Sequence, residues 1–180
     1  MKRAISVAII AACFLTISAV AQTQSCSTWT NYDLRGTYTM TGSGYIDLSK
    51  ALSGIPGLPP MPSGLIPMSW AGITTFDGAG NGSGWIVFNA GGTQMSASFV
   101  NKKYSLQPDC SISVTYSAKI NELNGLTVGP FAHLMVAVVK PAGTSMAQAL
   151  ELHMISMGTA PGAPTAPVVD TGVAYRISMQ

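Results

Sequence analysis

The sequence is short of charge. Only 9% of its residues are Asp, Glu, Lys or Arg, against about 25% in ordinary soluble domains. Nine basic residues face seven acidic ones, and two of the nine, Lys2 and Arg3, lie in an N-terminal segment that we expect to be removed. The remaining chain is then close to neutral, which excludes a basic surface for nucleic acid and a cluster for acidic lipids.

The sequence is also short of catalytic signatures. It has no Gly-x-Ser-x-Gly elbow, phosphate-binding loop or dinucleotide fingerprint, and it has only two histidines. These absences argue against the common hydrolase, nucleotide-binding and dehydrogenase classes. We therefore expect no cofactor.

The first 21 residues have the organisation of a secretory signal peptide. A basic pair is followed by an apolar stretch and then by the small-residue sequence Ala19-Val20-Ala21. The stretch is too short and too close to this cleavage sequence to predict a spanning helix. We expect cleavage after Ala21, a single domain over residues 22–180, a secreted or extracytoplasmic location and no transmembrane segment in the mature chain.

Cysteine usage agrees with that location. Of three cysteines, Cys13 would leave with the signal, and Cys26 and Cys110 would remain. An even pair in an oxidising compartment predicts one disulfide, which would tie the mature N-terminus to the turn before a central strand. The alternative is a lipid-anchored Cys26, but the preceding Thr-Gln-Ser lacks the Leu-small-small pattern of a lipoprotein signal.

Most of the mature chain alternates apolar and polar residues with the period of a half-buried strand. Turn sequences separate these stretches, such as residues 77–82 and Asn124-Gly125. The pattern predicts eight or nine strands, at residues 34–41, 70–76, 85–88, 94–100, 103–106, 111–120, 131–139, 150–155 and 172–179. Residues 131–139 are apolar enough to predict burial on both faces, and residues 147–152 could instead begin a helix. The fold class is all-β: an antiparallel meander closed into a single barrel, or a sandwich.

One segment interrupts this rhythm. Residues 51–68 are apolar, uncharged and hold five of the eleven prolines, which argues against a central strand. A long apolar loop of this kind is often functional. It is either a lid or self-association patch, with Leu58, Met61 and Leu65 as contact residues, or a plug that fills one end of the barrel.

Four short motifs resemble a family of small secreted bacterial β-barrel proteins of largely unknown function. They are Leu34-Arg-Gly-Thr-Tyr38, Thr75-Phe-Asp-Gly-Ala-Gly-Asn81, Tyr104-Ser-Leu-Gln-Pro-Asp-Cys110 and Gly172-Val-Ala-Tyr-Arg176. The resemblance covers most of the mature chain. It implies a barrel similar to lipocalin-like and allene-oxide-cyclase-like barrels. In lipocalins a Gly-x-Trp on the first strand packs against an Arg near the last, and here Gly36-Thr37-Tyr38 and Arg176 would take those parts.

Candidates for chemistry are few. Glu151 and His153 lie two residues apart on a predicted strand, so both would point to one face, where a carboxylate beside an imidazole could act as an acid–base pair. The alternative is an ordinary polar outer face. Tyr38, Trp70 and Trp85 would either contact a ligand or form ordinary core.

Metal binding has weaker support in the sequence. His133 on the neighbouring strand could join Glu151 and His153 as a third ligand, but no diagnostic spacing supports it. Residues 77–83 have some features of a calcium loop, yet Ala79 occupies a ligand position and no Glu closes the loop. We expect no metal.

Three functions remain open. The protein could bind a small apolar ligand or a surface partner without catalysis, which is the function that we expect. It could be an isomerase or cyclase for such a molecule, with Glu151, His153 and a tyrosine as acid and base. It could also be a structural protein with a solid barrel, so the state of the barrel interior discriminates between them.

Overall fold

The computed structural model describes residues 26–51, 63–139, 149–159 and 168–178. Within them, eight antiparallel strands follow one another around a closed barrel. The strands are β1 (Gly36–Ile46), β2 (Ile66–Phe76), β3 (Asn81–Ala90), β4 (Thr93–Leu106), β5 (Ser111–Ile120), β6 (Leu126–Val139), β7 (Ala149–Thr159) and β8 (Val168–Ser178). A 3₁₀ turn, Asn31–Leu34, precedes β1, and a short helix, α1 (Leu48–Ala51), follows it. The predicted all-β meander barrel is confirmed, and the sandwich alternative is wrong.

Several boundaries differ from the sequence prediction. The predicted strands at 94–100 and 103–106 are one continuous strand, β4, so the described ranges contain eight strands and not nine. The helix considered at 147–152 is wrong from Ala149 onward, where β7 begins. No helix in the described ranges is long and apolar enough to cross a bilayer.

The apolar segment 51–68 is shorter than its composition indicated. Its last three residues belong to β2, where Pro67 pairs with Tyr45 of β1 and its carbonyl accepts a hydrogen bond from the N–H of Gly91 at 3.1 Å. A proline is tolerated here because it is the second residue of the strand, where one missing donor costs little. Residues 52–62, which include Leu58 and Met61, lie outside the described ranges.

The strands form because alternate side chains enter the barrel. In β5, Ile112 and Val114 are almost completely buried, while Ser113 and Thr115, which alternate with them, face outward. The expectation that 131–139 is buried on both faces is wrong, since β6 alternates in the same way and Val136 is 41% exposed. One face of each strand therefore builds a single interior, and the other faces solvent.

One end of the barrel, which we call the plugged end, is filled by aromatic side chains. The ring of Phe76 lies 5.5 Å from that of Tyr38 and 4.5 Å from that of Tyr104. The segment 26–34 crosses this end, where the N–H of Leu106 donates to the Asn31 side chain at 2.9 Å. The predicted Cys26–Cys110 disulfide ties the start of this segment to the β4–β5 turn, with an S–S distance of 2.07 Å.

The first and last strands close the barrel through a specific contact at the plugged end. Arg176 of β8 lies over the ring of Tyr38 of β1, with 5.2 Å from Cζ to the centroid. Its Nε and Nη2 donate to the Tyr38 hydroxyl at 3.0 and 2.7 Å, and Nη2 also donates to the carbonyl of Asp33 at 2.6 Å. The contact expected between Arg176 and Tyr38 is therefore present, and it joins β1, β8 and the segment before β1.

Removing β8 should expose two strand edges at once. β1 and β7 would both lose a hydrogen-bonded neighbour, and a sheet with so few charges has little repulsion to prevent pairing between molecules. We expect a chain ending at Thr171 to aggregate, as measured by size-exclusion chromatography with light scattering. A chain ending at Ser178, which keeps all of β8, is the control and should stay soluble. A soluble, folded monomer after the larger deletion would contradict closure by β8.

Candidate functional site

The barrel is hollow beyond the plugged end. A cavity of about 100 Å³ lies there, and its wall is largely apolar. The apolar part of the wall includes Met40, Ile46, Phe88, Met95, Ile120 and Phe131. The wall continues to Leu48 and Leu123 at the end of the barrel opposite the plug. We call this the cavity end.

The segment 51–68 begins and ends beside the cavity end. Leu48, just before it, lines the cavity, and Ile66, at its far side, packs against the buried cluster around Phe88 and Met95. The topology therefore places both ends of this segment next to the cavity. Leu65, one of its predicted contact residues, is 54% exposed.

A bulge in β4 turns one lysine inward. The pairing of β4 with β5 shifts register between Val100 and Lys103, and Asn101 between them has a left-handed φ of 53°. The extra residue changes which positions face the interior. Phe99 and Lys102 consequently both line the cavity.

Lys102 occupies an almost wholly apolar site. It is 4% exposed, and its Nζ lies 4.9 Å from the ring centroid of Phe76 and 4.8 Å from that of Phe99. Nζ donates a hydrogen bond to the hydroxyl of Thr74, which in turn donates to the carbonyl of Ser83 at 3.3 Å. The amine is thus held at the floor of the cavity, against the plug, by two rings and one neutral hydroxyl.

This environment favours the neutral amine. Burial lowers the pKa of Lys102 from 10.5 to about 7, because an ammonium group loses its hydration in an apolar site. Two aromatic faces recover part of that loss for the charged form. A large fraction of the amine is therefore unprotonated at neutral pH.

A second polar group lies on the opposite part of the cavity wall. Asp170 of β8 is 6% exposed and accepts a hydrogen bond from the indole N–H of Trp70 at 2.9 Å. Nε2 of His133 lies 3.2 Å from the other carboxylate oxygen. Three strands therefore contribute to one buried polar cluster, which we call the Asp170 cluster.

Glycines make room for the indole of this cluster. Trp70 pairs across the sheet with Gly42, which pairs with Gly172. A Cβ atom on Gly42 would lie 2.2 Å from the Trp70 ring, and one on Gly172 would lie 2.7 Å from it. The indole can lie flat against the wall and reach Asp170 only because these two positions carry no side chain.

Tyr116 connects the two polar regions. Its ring stacks on His133 with 5.3 Å between centroids and lies 4.7 Å from Phe99, which contacts Lys102. Burial, assisted by the charge of Asp170, raises the pKa of the Tyr116 hydroxyl far above its usual value. The hydroxyl therefore stays protonated in the cavity wall.

The predicted ligand-binding aromatics are not brought together. Trp70 lines the cavity, whereas Tyr38 is fully buried in the plug and Trp85 is 47% exposed on the outer surface. The sequence left open whether these three residues contact a ligand or form ordinary core, and the alternation of the sheet turns Trp85 outward, where it does neither.

Glu151 and His153 lie together on the outside of the barrel. Nε2 of His153 is 2.8 Å from Oε1 of Glu151, and the His153 side chain is 55% exposed. The residues that alternate with them, Leu152 and Met154, fill the interior. The pair shares one face, as expected, but that face is opposite to the one that borders the cavity.

The metal sites considered from the sequence do not assemble. His133 points inward and His153 outward, so they cannot share an ion with Glu151. Among the described residues, no group of three His, Cys, Asp or Glu side chains could hold a metal. In the Asp77 turn the carboxylate instead accepts hydrogen bonds from Ala79 and Asn81, and these lower the pKa of Asp77.

Three polar residues of the cavity wall, Lys102, Tyr116 and Asp170, are not among the site residues predicted from the sequence. The alternation of inward and outward residues along β4, read without a bulge, does not place Lys102 inside the barrel. The signal was present, since Met95 and Phe99 are at odd positions and Tyr104 and Leu106 at even ones. Asp170 was missed because β8 begins four residues before the predicted start at residue 172.

Comparison with known proteins adds no further assignment. The sequence matches no family model, no curated protein and no solved structure.

Proposed function

We propose that this protein binds a small, mainly apolar molecule inside its barrel. The observation that carries the proposal is the cavity, whose apolar wall is interrupted by a few inward-facing polar groups. Sites for small molecules have this composition: apolar surface supplies affinity, and convergent polar groups fix orientation. Lys102, Tyr116 and the Asp170 cluster are those groups.

The size of the cavity limits the ligand. A volume of about 100 Å³ is smaller than pockets for drug-sized molecules, which hold roughly 300–1,000 Å³. It is closer to an engineered apolar cavity of about 150 Å³ that binds benzene. We therefore propose a ligand of one ring or a short branched chain.

We also propose that the protein binds this ligand outside the cytoplasm. The Cys26–Cys110 disulfide supports an oxidising compartment, and the N-terminal 21 residues predict export. A kinship with lipocalin-like barrels remains a prediction, supported by the contact between Arg176 and the Gly36-Thr37-Tyr38 strand. Self-association through residues 51–68 also remains a prediction.

An isomerase or cyclase is the second candidate. The observation that favours it is the carboxylate–imidazole pair of Asp170 and His133 in the cavity wall, because acid–base groups must lie within reach of a bound substrate. Glu151 and His153 would require a substrate on the outer surface. If turnover is found, Asp170→Asn should reduce it and Glu151→Gln should not. The opposite result would transfer the chemistry to the outer pair.

Filling the cavity tests the binding proposal. Ala118 is 5% exposed and lines the cavity, so Ala118→Leu should occupy part of the ligand volume. We expect the wild-type protein to bind toluene saturably, as measured by calorimetry and by the NMR shift of the Trp70 indole N–H. Ala118→Leu should weaken this binding at least about tenfold, since excluding a ring from a matched cavity costs more than 1.4 kcal/mol.

The neighbouring residue provides a matched control. Lys119 follows Ala118 on the same strand but is exposed, so Lys119→Leu adds a similar side chain outside the barrel. It should leave toluene affinity unchanged. Equal loss of affinity in both variants, or no saturable binding by the wild type, would contradict the proposal and favour a solid structural barrel.

A further inference from the structure

The most unusual group in the cavity is an amine that has no counter-ion among its contacts with the described residues. The described contacts of the Lys102 amine are two phenyl rings and the Thr74 hydroxyl. A surface lysine such as Lys103 instead lies outside the barrel, where it bonds the side chain of Asn81. The bulge at Asn101 is what places the first of these two adjacent lysines inside.

A lysine in this position lowers the stability of the folded protein, which suggests that it serves a function. Burying an ammonium among apolar side chains is unfavourable, and a leucine or methionine would fit the alternation equally well. Buried lysines with lowered pKa values are the ones that serve as nucleophiles, because only the neutral amine has a free electron pair. The Thr74 hydroxyl accepts one N–H and so orients the amine.

We propose that Lys102 captures a small aldehyde or ketone in the cavity as an imine. This inference rests on the proposed ligand-binding function and names the chemical class of its ligand. A carbonyl compound is neutral, so it can enter an apolar cavity without burying a new charge. An anionic ligand would instead be buried in the same cavity as the Asp170 carboxylate, which already uses the Trp70 N–H.

The chemistry is balanced without a further reagent. The nitrogen of Lys102 forms a bond to the carbonyl carbon, and the carbon–oxygen bond breaks. The two hydrogens of the neutral amine leave with the oxygen as one water molecule. No group is oxidised or reduced. Reversal by water releases the carbonyl compound and restores the amine.

Reductive trapping tests the inference. The purified protein is mixed with benzaldehyde and sodium cyanoborohydride, and the modified lysines are located by peptide mass mapping. We expect Lys102 to be modified at least about tenfold faster than Lys103 at pH 7, because the cavity holds the aldehyde next to the Lys102 amine, a large fraction of which is neutral there. The rate at Lys102 should level off above about pH 7, where the pKa of that amine lies.

Two comparisons make the result specific. Lys103→Arg should leave trapping at Lys102 unchanged, and Lys102→Arg should abolish it. If Lys102→Arg fails to fold, the pH profile of the wild type still decides. Equal labelling of Lys102 and Lys103 would overturn the inference, as would Lys102-dependent binding of benzoate in preference to benzaldehyde.

Toluene separates this inference from the function on which it rests. If toluene binds and Lys102 is not trapped, the carbonyl inference fails and the binding function stands. If toluene does not bind and Lys102 is not trapped, both fail. Selective trapping that Ala118→Leu suppresses would support both.

Discussion

Replacing Lys102 with methionine should stabilise the protein, and the gain should be greatest at and below neutral pH. Burial lowers the pKa of Lys102 in the folded barrel to about 7, from the ordinary lysine value of 10.5 that applies in the unfolded chain. Below pH 7 the amine is charged in both states, and the folded state bears the full cost of burying it. Since each pKa unit corresponds to about 1.4 kcal/mol, that cost is about 5 kcal/mol.

The dependence on pH has a definite sign. Between pH 7 and 10.5 the unfolded chain holds a proton that the folded chain has lost, so the stability of the wild type rises with pH by about 1.4 kcal/mol per unit. Lys102→Met removes this slope, and its advantage should shrink over the same range. Urea denaturation at pH 6, 7, 8 and 9 measures it. Lys119→Met, at an exposed site, is the control, and an equal pH dependence of the two variants would contradict the buried amine.

Loss of the disulfide should be the second large effect, and it should destabilise. The bond closes a loop of 84 residues, and on the chain-entropy account such a link stabilises by about 4 kcal/mol. Cys26 and Cys110 are both almost fully buried, so the double variant Cys26→Ala, Cys110→Ala keeps small apolar groups in place. We expect its midpoint in urea to fall accordingly, and the wild type with reductant to behave like it.

Removing the Cys26–Cys110 disulfide should also cost stability through lost contacts, in addition to the entropy of the unfolded chain. It fixes the start of the segment 26–34, which covers the plugged end and supplies the buried Leu34. Mass analysis of the purified protein should first show two fewer hydrogens than the free dithiol. If the free energy of unfolding of the double variant falls by less than about 1 kcal/mol, the disulfide contributes no more than a single hydrogen bond does. Other contacts would then hold the segment 26–34 in place.

The barrel could be predicted because its strands repeat one simple pattern. In β5 the alternation of Ile112 and Val114 with serine and threonine identifies both the element and its buried face. The turn at Asn124-Gly125 was recognisable because both residues adopt left-handed φ angles, 53° and 73°. The ends of β2 and β8 were harder, because Pro67 and the prolines before Val168 look like loop residues in isolation.

The cavity could not be predicted in the same way. Its polar groups come from β2, β4, β5, β6 and β8, and their meeting depends on the register of pairing around the barrel. One bulge exchanges the faces of Lys102 and Lys103, and the only mark of it in the local sequence is the shift of apolar residues from odd to even positions between Phe99 and Tyr104. The Glu151–His153 pair shows the converse: its spacing put both residues on one face, but only the barrel's closure determines which face borders the cavity.

The central claim is that the barrel holds a small neutral molecule between its plug and its cavity end. Crystallography of the protein soaked with toluene tests it most directly. We expect density for one ring among Trp70, Phe88 and Tyr116, within contact distance of Lys102, with the barrel unchanged. An interior filled by the protein's own side chains, with no ring density at saturating toluene, would contradict the account.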